Sequence, residues 1–289
     1  MPPPGILLYG QQTKWGNLSL PILVPPFRKN IPAKIIFGEN PLWSVVMPQL
    51  KMVSSKDFTD TILQDYPEIK KFNLIAAGHG YSLSPDIMPI KVDKEYLKTP
   101  IIPFDAAEKA HIPVWITEIS DVTPLDTSIQ DGLKWAVTFH NYLTKANVNA
   151  IIWWGGAMPT SNNESLIILN KNRKDYTLSK RYDILGNYSR YISEGSTRIQ
   201  VTQPKNKDLL VSAYKKNDKY ILVAINLSEK TISTNIRLDG ANIKGALKQF
   251  ITNKDNRWNK TNIVPVSNKY YNLTIPQFSI VTLVGKVHL

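Results

Sequence analysis

Four short apolar runs in this chain end in residues that can do chemistry. "AKIIFGE" closes on Glu39, "FNLIAAGHGY" carries His79 and Tyr81, "PVWITEI" carries Glu118, and "NAIIWWGG" carries Trp153 and Trp154. Two carboxylates, an imidazole and several aromatic planes make a coherent set. Sugar rings stack their C–H faces on Trp or Tyr, while one carboxyl protonates a glycosidic oxygen and a second attacks the anomeric carbon. A metal centre fits these residues less well, because His79, His111, His140 and His288 are scattered without ligand spacing. There is no Gly-x-Ser-x-Gly elbow and no phosphate loop, and no cofactor is implied.

A structural role competes for each residue. An acid at the end of an apolar strand is costly unless it is paired or used, so Glu118 is either tied to a lysine or functional. Neighbouring strand residues point to opposite faces, so only one of Trp153 and Trp154 reaches the strand-end mouth. His79 sits between Gly78 and Gly80 and beside Tyr81, which favours a site, whereas His140 falls on the apolar face of a long helical pattern and reads as packing.

The elements that must position these residues follow from the pattern. The four runs are too short for buried helices and rich in Ile, Val and Trp, as strands covered on both faces are, which implies a parallel sheet. Between them lie helical patterns at 57–71, 104–110 and, most regularly, 127–146, where Ile129, Leu133, Ala136, Val137 and Leu143 keep a period near 3.6. Strand plus helix recurs about every 40 residues, the spacing of long βα units, and four such units make half of a (β/α)8 TIM barrel. In such sheets the chemistry gathers at the C-terminal strand ends. After Arg181 one more helix, "YDILGNYSRYI", gives way to seven alternating runs, with an Asn-Asp hairpin turn in "KKNDKY". These predict a small antiparallel β-sandwich. The expected organisation is an irregular segment at 1–30, the half barrel at 31–180, and the helix with its sandwich at 181–289.

Composition narrows the function. The chain has 289 residues, 43% of them hydrophobic, enough for a real core and for two domains at most. It has no cysteine, which excludes disulfide scaffolds and thiolate chemistry. The formal charge of +12 is spread along the chain rather than gathered in one basic footprint, which argues against nucleic acid as a partner. No run is long enough for a membrane span, and the first residues lack the layout of a signal peptide.

The ordered series "VWITEIS", "DGLKWAVTFHNYLTKANVNAIIWWGG", "NNESLI" and "RYDILGNYSRYISEGSTRI", followed by a short all-β region, resembles glycoside hydrolase family 30 over residues 31–289. That family includes glucuronoxylan-active endoxylanases, β-1,6-glucanases and glucosylceramidases. The resemblance implies a secreted retaining endo-β-glycosidase on a (β/α)8 barrel with a β-sandwich beside it. It makes Glu118 the nucleophile at the end of the seventh strand, and His79, Tyr81, Trp153 and Trp154 substrate contacts. The four runs would be strands five to eight.

The family's acid/base lies in an Asn-Glu-Pro motif on strand four, and this sequence contains none. "GENP" at 38–41 holds the letters in another order and on another strand, so Glu39 is a stand-in rather than a match. The expectation is therefore the C-terminal part of a xylan- or glucuronoxylan-directed enzyme with a nucleophile but no acid/base, from a truncated or misjoined gene start. Its open barrel edges would favour self-association. The alternatives are another linkage within the family, or a carbohydrate-binding protein without catalysis.

Overall fold

The computed structural model describes residues 6–7, 34–45, 53–83, 101–170, 172, 174–237, 239, 242–243, 245–267 and 270–288. Most of the expected irregular segment at 1–30 lies outside them. Two compact units interleave along the chain: residues 1–90, 98–121 and 141–155 in one, and 91–97, 122–140 and 156–289 in the other.

The first unit is built on a parallel sheet of β1 (Ile6–Leu7), β2 (Ile35–Phe37), β4 (Leu74–His79), β6 (Val114–Ile119) and β7 (Ala150–Trp153), in that spatial order. The four sequence runs are its last four strands. β3 (Leu42–Val45) and β5 (Tyr81–Leu83) form a separate parallel pair just beyond β2 and β4 in the chain. Helix α1 (Ser55–Asp65) starts at Ser54, whose hydroxyl accepts from the Asp57 N–H while the Asp57 carboxylate accepts from the Ser54 N–H. A reciprocal cap of this kind is worth about 1 kcal/mol. The helical pattern at 57–71 does not run through. It breaks at Tyr66, because Pro67 has no N–H to continue the ladder, and resumes as a 3-10 turn over Pro67–Lys71. Further along, α2 (Asp105–Lys109) is a single short turn of helix.

Helix α3 (Ile129–Thr144) is the long periodic helix. Ile129, Leu133, Ala136 and Val137 are buried, as the period requires, but so are Asp131, Lys134, Thr138, His140 and Asn141. Its polar residues therefore need partners within the protein rather than water.

In the second unit, β8 (Ala157–Met158), β9 (Ile167–Leu169) and β10 (Tyr176–Leu178) make a small sheet, and α4 (Lys180–Ser189) follows, capped by Ser179. Next come β11 (Thr197–Ile199), β12 (Leu209–Lys216), β13 (Lys219–Asn226), β14 (Ile232–Arg237), β15 (Asn242–Ile243), β16 (Leu247–Thr252), β17 (Asn259–Ile263), β18 (Pro265–Ser267), β19 (Tyr270–Ile275) and β20 (Ser279–His288). One antiparallel sheet runs β11-β12-β13-β20-β16-β17 with β15 beside β20, and a second runs β14-β19-β18. Leu209, Ala224, Leu247, Val281 and Leu283 from the first share a core with Tyr271, Leu273 and Ile275 of the second. The Asn-Asp turn is present: Lys216 pairs with Lys219 and Asn217 takes a φ of 53°, the left-handed region such a turn demands.

Arg181 ties the loops of this unit together. It is fully buried, and its Nη1 donates to the Asp126 carbonyl, Asp131 Oδ2 and Asn163 Oδ1, while Nη2 donates to the Ser165 carbonyl. Thus the "NNES" and "RYD" motifs, far apart in sequence, meet as one polar cluster. α4 is fixed to the β16 and β20 strands through Asn187, which donates to Thr252 and whose carbonyl accepts from Thr282. Gly186 is obligatory there, since a Cβ would lie 2.3 Å from Trp258 Cζ2.

Candidate active site

β6 explains how an acid is carried out of a buried strand. On the β4 side, Gly78 pairs with Ile116 and His79 with Glu118; on the β7 side, Ile116 pairs with Ile151 and Ile119 with Trp153. Both registers require one extra residue in β6, between Ile116 and Glu118 against β4 and between Ile116 and Ile119 against β7, so the strand bulges at Thr117. The alternation of buried and half-buried residues from Val114 to Thr117 breaks there, and Glu118 follows Thr117 as a second half-buried position. Bulges re-aim side chains in this way beside functional sites.

The same strand ends bring His79 and Tyr81 to Glu118. The His79 N–H donates to the Asn40 carbonyl at 3.0 Å, and the Gly80 N–H donates to the Glu118 carbonyl at 2.7 Å. Both flanking glycines are required by packing. A Cβ on Gly78 would lie 2.2 Å from Ser55 Oγ of α1, and one on Gly80 would lie 2.5 Å from Ile119 Cδ1. Behind them, the buried Tyr142 hydroxyl donates to the Gly80 carbonyl at 2.7 Å. Its ring meets Trp43 edge-on, and Trp43 itself is locked by an indole N–H bond to the Ile102 carbonyl and a ring contact with Phe104. The site stands on a rigid aromatic base.

Within the site, the Tyr81 hydroxyl lies 3.3 Å from Glu118 Oε1 and 3.1 Å from Ser120 Oγ. Burial pushes the Tyr81 phenol above its ordinary value, with the negative charge of Glu118 adding to the shift and the Ser120 hydrogen bond opposing it. Tyr81 therefore keeps its proton at neutral pH and donates. His79 Nδ1 is 3.5 Å from the same Oε1, and its other nitrogen, Nε2, is 3.2 Å from Glu39 Oε2. The imidazole stands between the two carboxylates. Glu118 retains 25% side-chain exposure, whereas Glu39 retains 1%. Glu118 is open to a ligand and Glu39 is not.

The remaining sequence candidates divide as the strand rule requires: Trp153 is buried and Trp154 is half exposed. His140 is buried in α3 and His111 lies at the turn before β6, away from the strand ends. Ser120, Asn40 and Tyr142 were not singled out from the sequence. Asn40 directly follows Glu39 and Ser120 closes the Glu118 run, but Asn40 acts through its main-chain carbonyl and the Tyr142 hydroxyl reaches the Gly80 carbonyl, pairings that no sequence pattern marks. No group of three or more potential metal ligands occurs among the described residues.

No family profile matches the chain. It is 24% identical over 238 residues to glucuronoxylanase XynC of Bacillus subtilis strain 168, a match covering 79% of this chain and 50% of that protein. Among solved structures it is similar to the glycoside hydrolase family 30 subfamily 8 xylanase Xyn30A of Clostridium acetobutylicum, with a TM-score of 0.68, 21% identity, and coverage of 88% of this chain and 56% of that one. The catalytic domain of GH30 xylanase C from Talaromyces cellulolyticus superposes with a TM-score of 0.74 at 17% identity, covering 96% of this chain and 58% of that one. Both solved structures are glycoside hydrolase family 30 xylanases, and the similarity to them is one of fold. The chain spans about half the length of these relatives. Among the described residues no helix is long and apolar enough to cross a membrane.

Proposed function

We propose that this chain carries the nucleophile half of a retaining endo-β-glycosidase that acts outside the cell on a plant cell-wall polysaccharide, xylan or glucuronoxylan. β2, β4, β6 and β7 then correspond to strands five to eight of a (β/α)8 barrel, and residues 181–289 supply a helix and a β-sandwich. The observation that carries the reading is the environment of Glu118: a partly exposed carboxylate whose Oε1 is held by Tyr81 and faced by His79. Both of these contacts fall on Oε1. Oε2 attacks the anomeric carbon, the bond to the leaving oxygen breaks, and a glycosyl ester forms on Glu118.

A retaining cycle needs a second carboxyl about 5 to 5.5 Å from the first, to protonate the leaving oxygen and then activate water. Glu39 does not fill that role, because it is buried and has the His79 ring between it and Glu118. With no Asn-Glu-Pro in the sequence, turnover of unactivated xylan by this chain alone is not expected. The outer edge of β7 carries the exposed Ile152 next to Trp154, which supports pairing with a second polypeptide.

A dinitrophenyl 2-deoxy-2-fluoro-β-xylobioside needs no acid to expel its leaving group. It should give a single covalent adduct by intact mass, mapping to the peptide that contains Glu118 and missing in Glu118→Gln. No adduct, or an adduct elsewhere, overturns the reading. Xylan binding that persists in both proteins without any adduct would leave the carbohydrate-binding alternative.

A further inference from the structure

We infer that Glu39 is a positioning residue that fixes the His79 ring so that its far nitrogen addresses Oε1 of Glu118. This rests on the reading of Glu118 as nucleophile. The Glu39 side chain is 1% exposed, so it does not touch a substrate. Both its oxygens are buried without a hydrogen-bond partner, and the one charged or chargeable group within ion-pair distance among the described residues is His79 Nε2, at 3.2 Å. An ionised carboxylate placed this way costs several kcal/mol unless something offsets it. A carboxylate kept purely for stability would be surrounded by donors. Here neither carboxylate oxygen has a hydrogen-bond donor.

The geometry of the ring transmits the restraint. The ring orientation that puts Nε2 3.2 Å from Glu39 Oε2 is the one that puts Nδ1 3.5 Å from Glu118 Oε1, so an acceptor at Glu39 favours that orientation. His79 is also anchored through its backbone N–H on Asn40, the residue next to Glu39, so ring and carboxylate move together. The consequence is that Tyr81 and His79 both address Oε1, so one oxygen of the carboxylate is restrained from two sides. A carboxylate orienting a histidine from behind typically changes the function of the site by about 10- to 100-fold when removed.

The test compares the parent chain with Glu39→Gln and Glu39→Asp, using two readouts. Nitrogen-15 NMR of labelled histidine, with the His79 signals assigned from a His79→Asn sample, reports which ring nitrogen carries the proton. The rate of adduct formation with the dinitrophenyl 2-fluoroxylobioside reports the nucleophile. Glu39→Gln should move the His79 ring signals and slow labelling about 10- to 100-fold, with Glu39→Asp falling between it and the parent. His79 signals and labelling rates unchanged in Glu39→Gln overturn the inference, as does a lower melting temperature with unchanged His79 signals, the mark of a structural role. If the parent forms no adduct while its His79 signals still depend on Glu39, the nucleophile reading fails and the Glu39–His79 coupling stands.

Discussion

Arg181 in the second unit and Glu39 in the first are both charged side chains withdrawn from water, yet their surroundings are opposite. Arg181 donates to four acceptors, including a carboxylate and two main-chain carbonyls, and leaves only Nε without a partner. Glu39 makes no hydrogen bond and faces a single imidazole. A saturated buried charge resists change, because every partner loses a bond when it leaves. An undersatisfied one keeps its dependence on one neighbour, and that neighbour lies against the exposed Glu118. The difference separates a residue that holds the protein together from one whose burial serves a site.

The largest effect expected from this contrast is in the second unit. Truncating Arg181 to Ala leaves the buried Asp131 carboxylate with Lys134, 3.2 Å away, as its remaining ion pair and strips Asp126, Asn163 and Ser165 of their shared donor; breaking a buried pair of this kind costs about 3 to 5 kcal/mol. Burial already pushes the Asp131 carboxyl above its ordinary value against the opposing pull of Arg181 and Lys134. Desolvation therefore outweighs the attraction, and the pair stabilises only by comparison with a half-broken one. Urea unfolding of Arg181→Ala should show the loss. If it is below about 1 kcal/mol, the Arg181 cluster is no more structural than Glu39 and the contrast collapses. The corresponding change at Glu39, to Gln, removes a carboxylate that makes no hydrogen bond and should not lower the unfolding midpoint.

A second prediction sharpens the structural side. α4 passes so close to Trp258 that Gly186 has no room for a side chain, and the indole N–H is bonded to the Asp183 carbonyl of the same helix. Trp258 also holds a φ of 49°, so it cannot retreat cheaply. Gly186→Ala should destabilise by about 1 to 3 kcal/mol through overpacking, despite the better helix propensity of Ala. Thermal melting checks it, and a neutral or stabilising result would mean that Trp258 moves freely.

The two sides were not equally legible in the sequence. Strands β2, β4, β6 and β7 could be read because a strand covered on both faces must be continuously apolar, and α3 because its core side repeats every turn. β17, "NKTNI", was missed: its residues are mostly exposed, and an edge strand without an apolar face leaves no pattern. The bulge in β6 was equally invisible, since it is defined by register against two neighbours rather than by its own letters. Glu39, His79 and Glu118 were each noticed as strand-end residues, but not their order, with the ring between the carboxylates. Arg181 stands within a sequence motif, but nothing in that motif names its partners. Its partners Asp126, Asp131 and Asn163 are brought to it by three different loops and helix ends.

The smallest effect tests the contrast through pH. Burial raises the phenols of both Tyr81 in the first unit and Tyr188 in the second, Tyr188 well above its ordinary value with Tyr214 adding to it. A tyrosine whose folded value lies above the unfolded one, about 10, contributes stability that is fully present below that pH and is lost as pH rises through the folded value. Melting temperatures should therefore fall on the alkaline side of about pH 10, and Tyr188→Phe should flatten the fall more than Tyr81→Phe does. At neutral pH the ranking reverses in the labelling assay. Tyr188 donates only a 3.4 Å bond to the Ala136 carbonyl, while Tyr81 holds Glu118 Oε1, so Tyr81→Phe alone should slow adduct formation. A neutral hydrogen bond is worth about 1 kcal/mol, which corresponds to roughly fivefold in rate. Equal labelling by the two phenylalanine variants would remove Tyr81 from the machinery and leave His79 as the one contact that restrains Oε1.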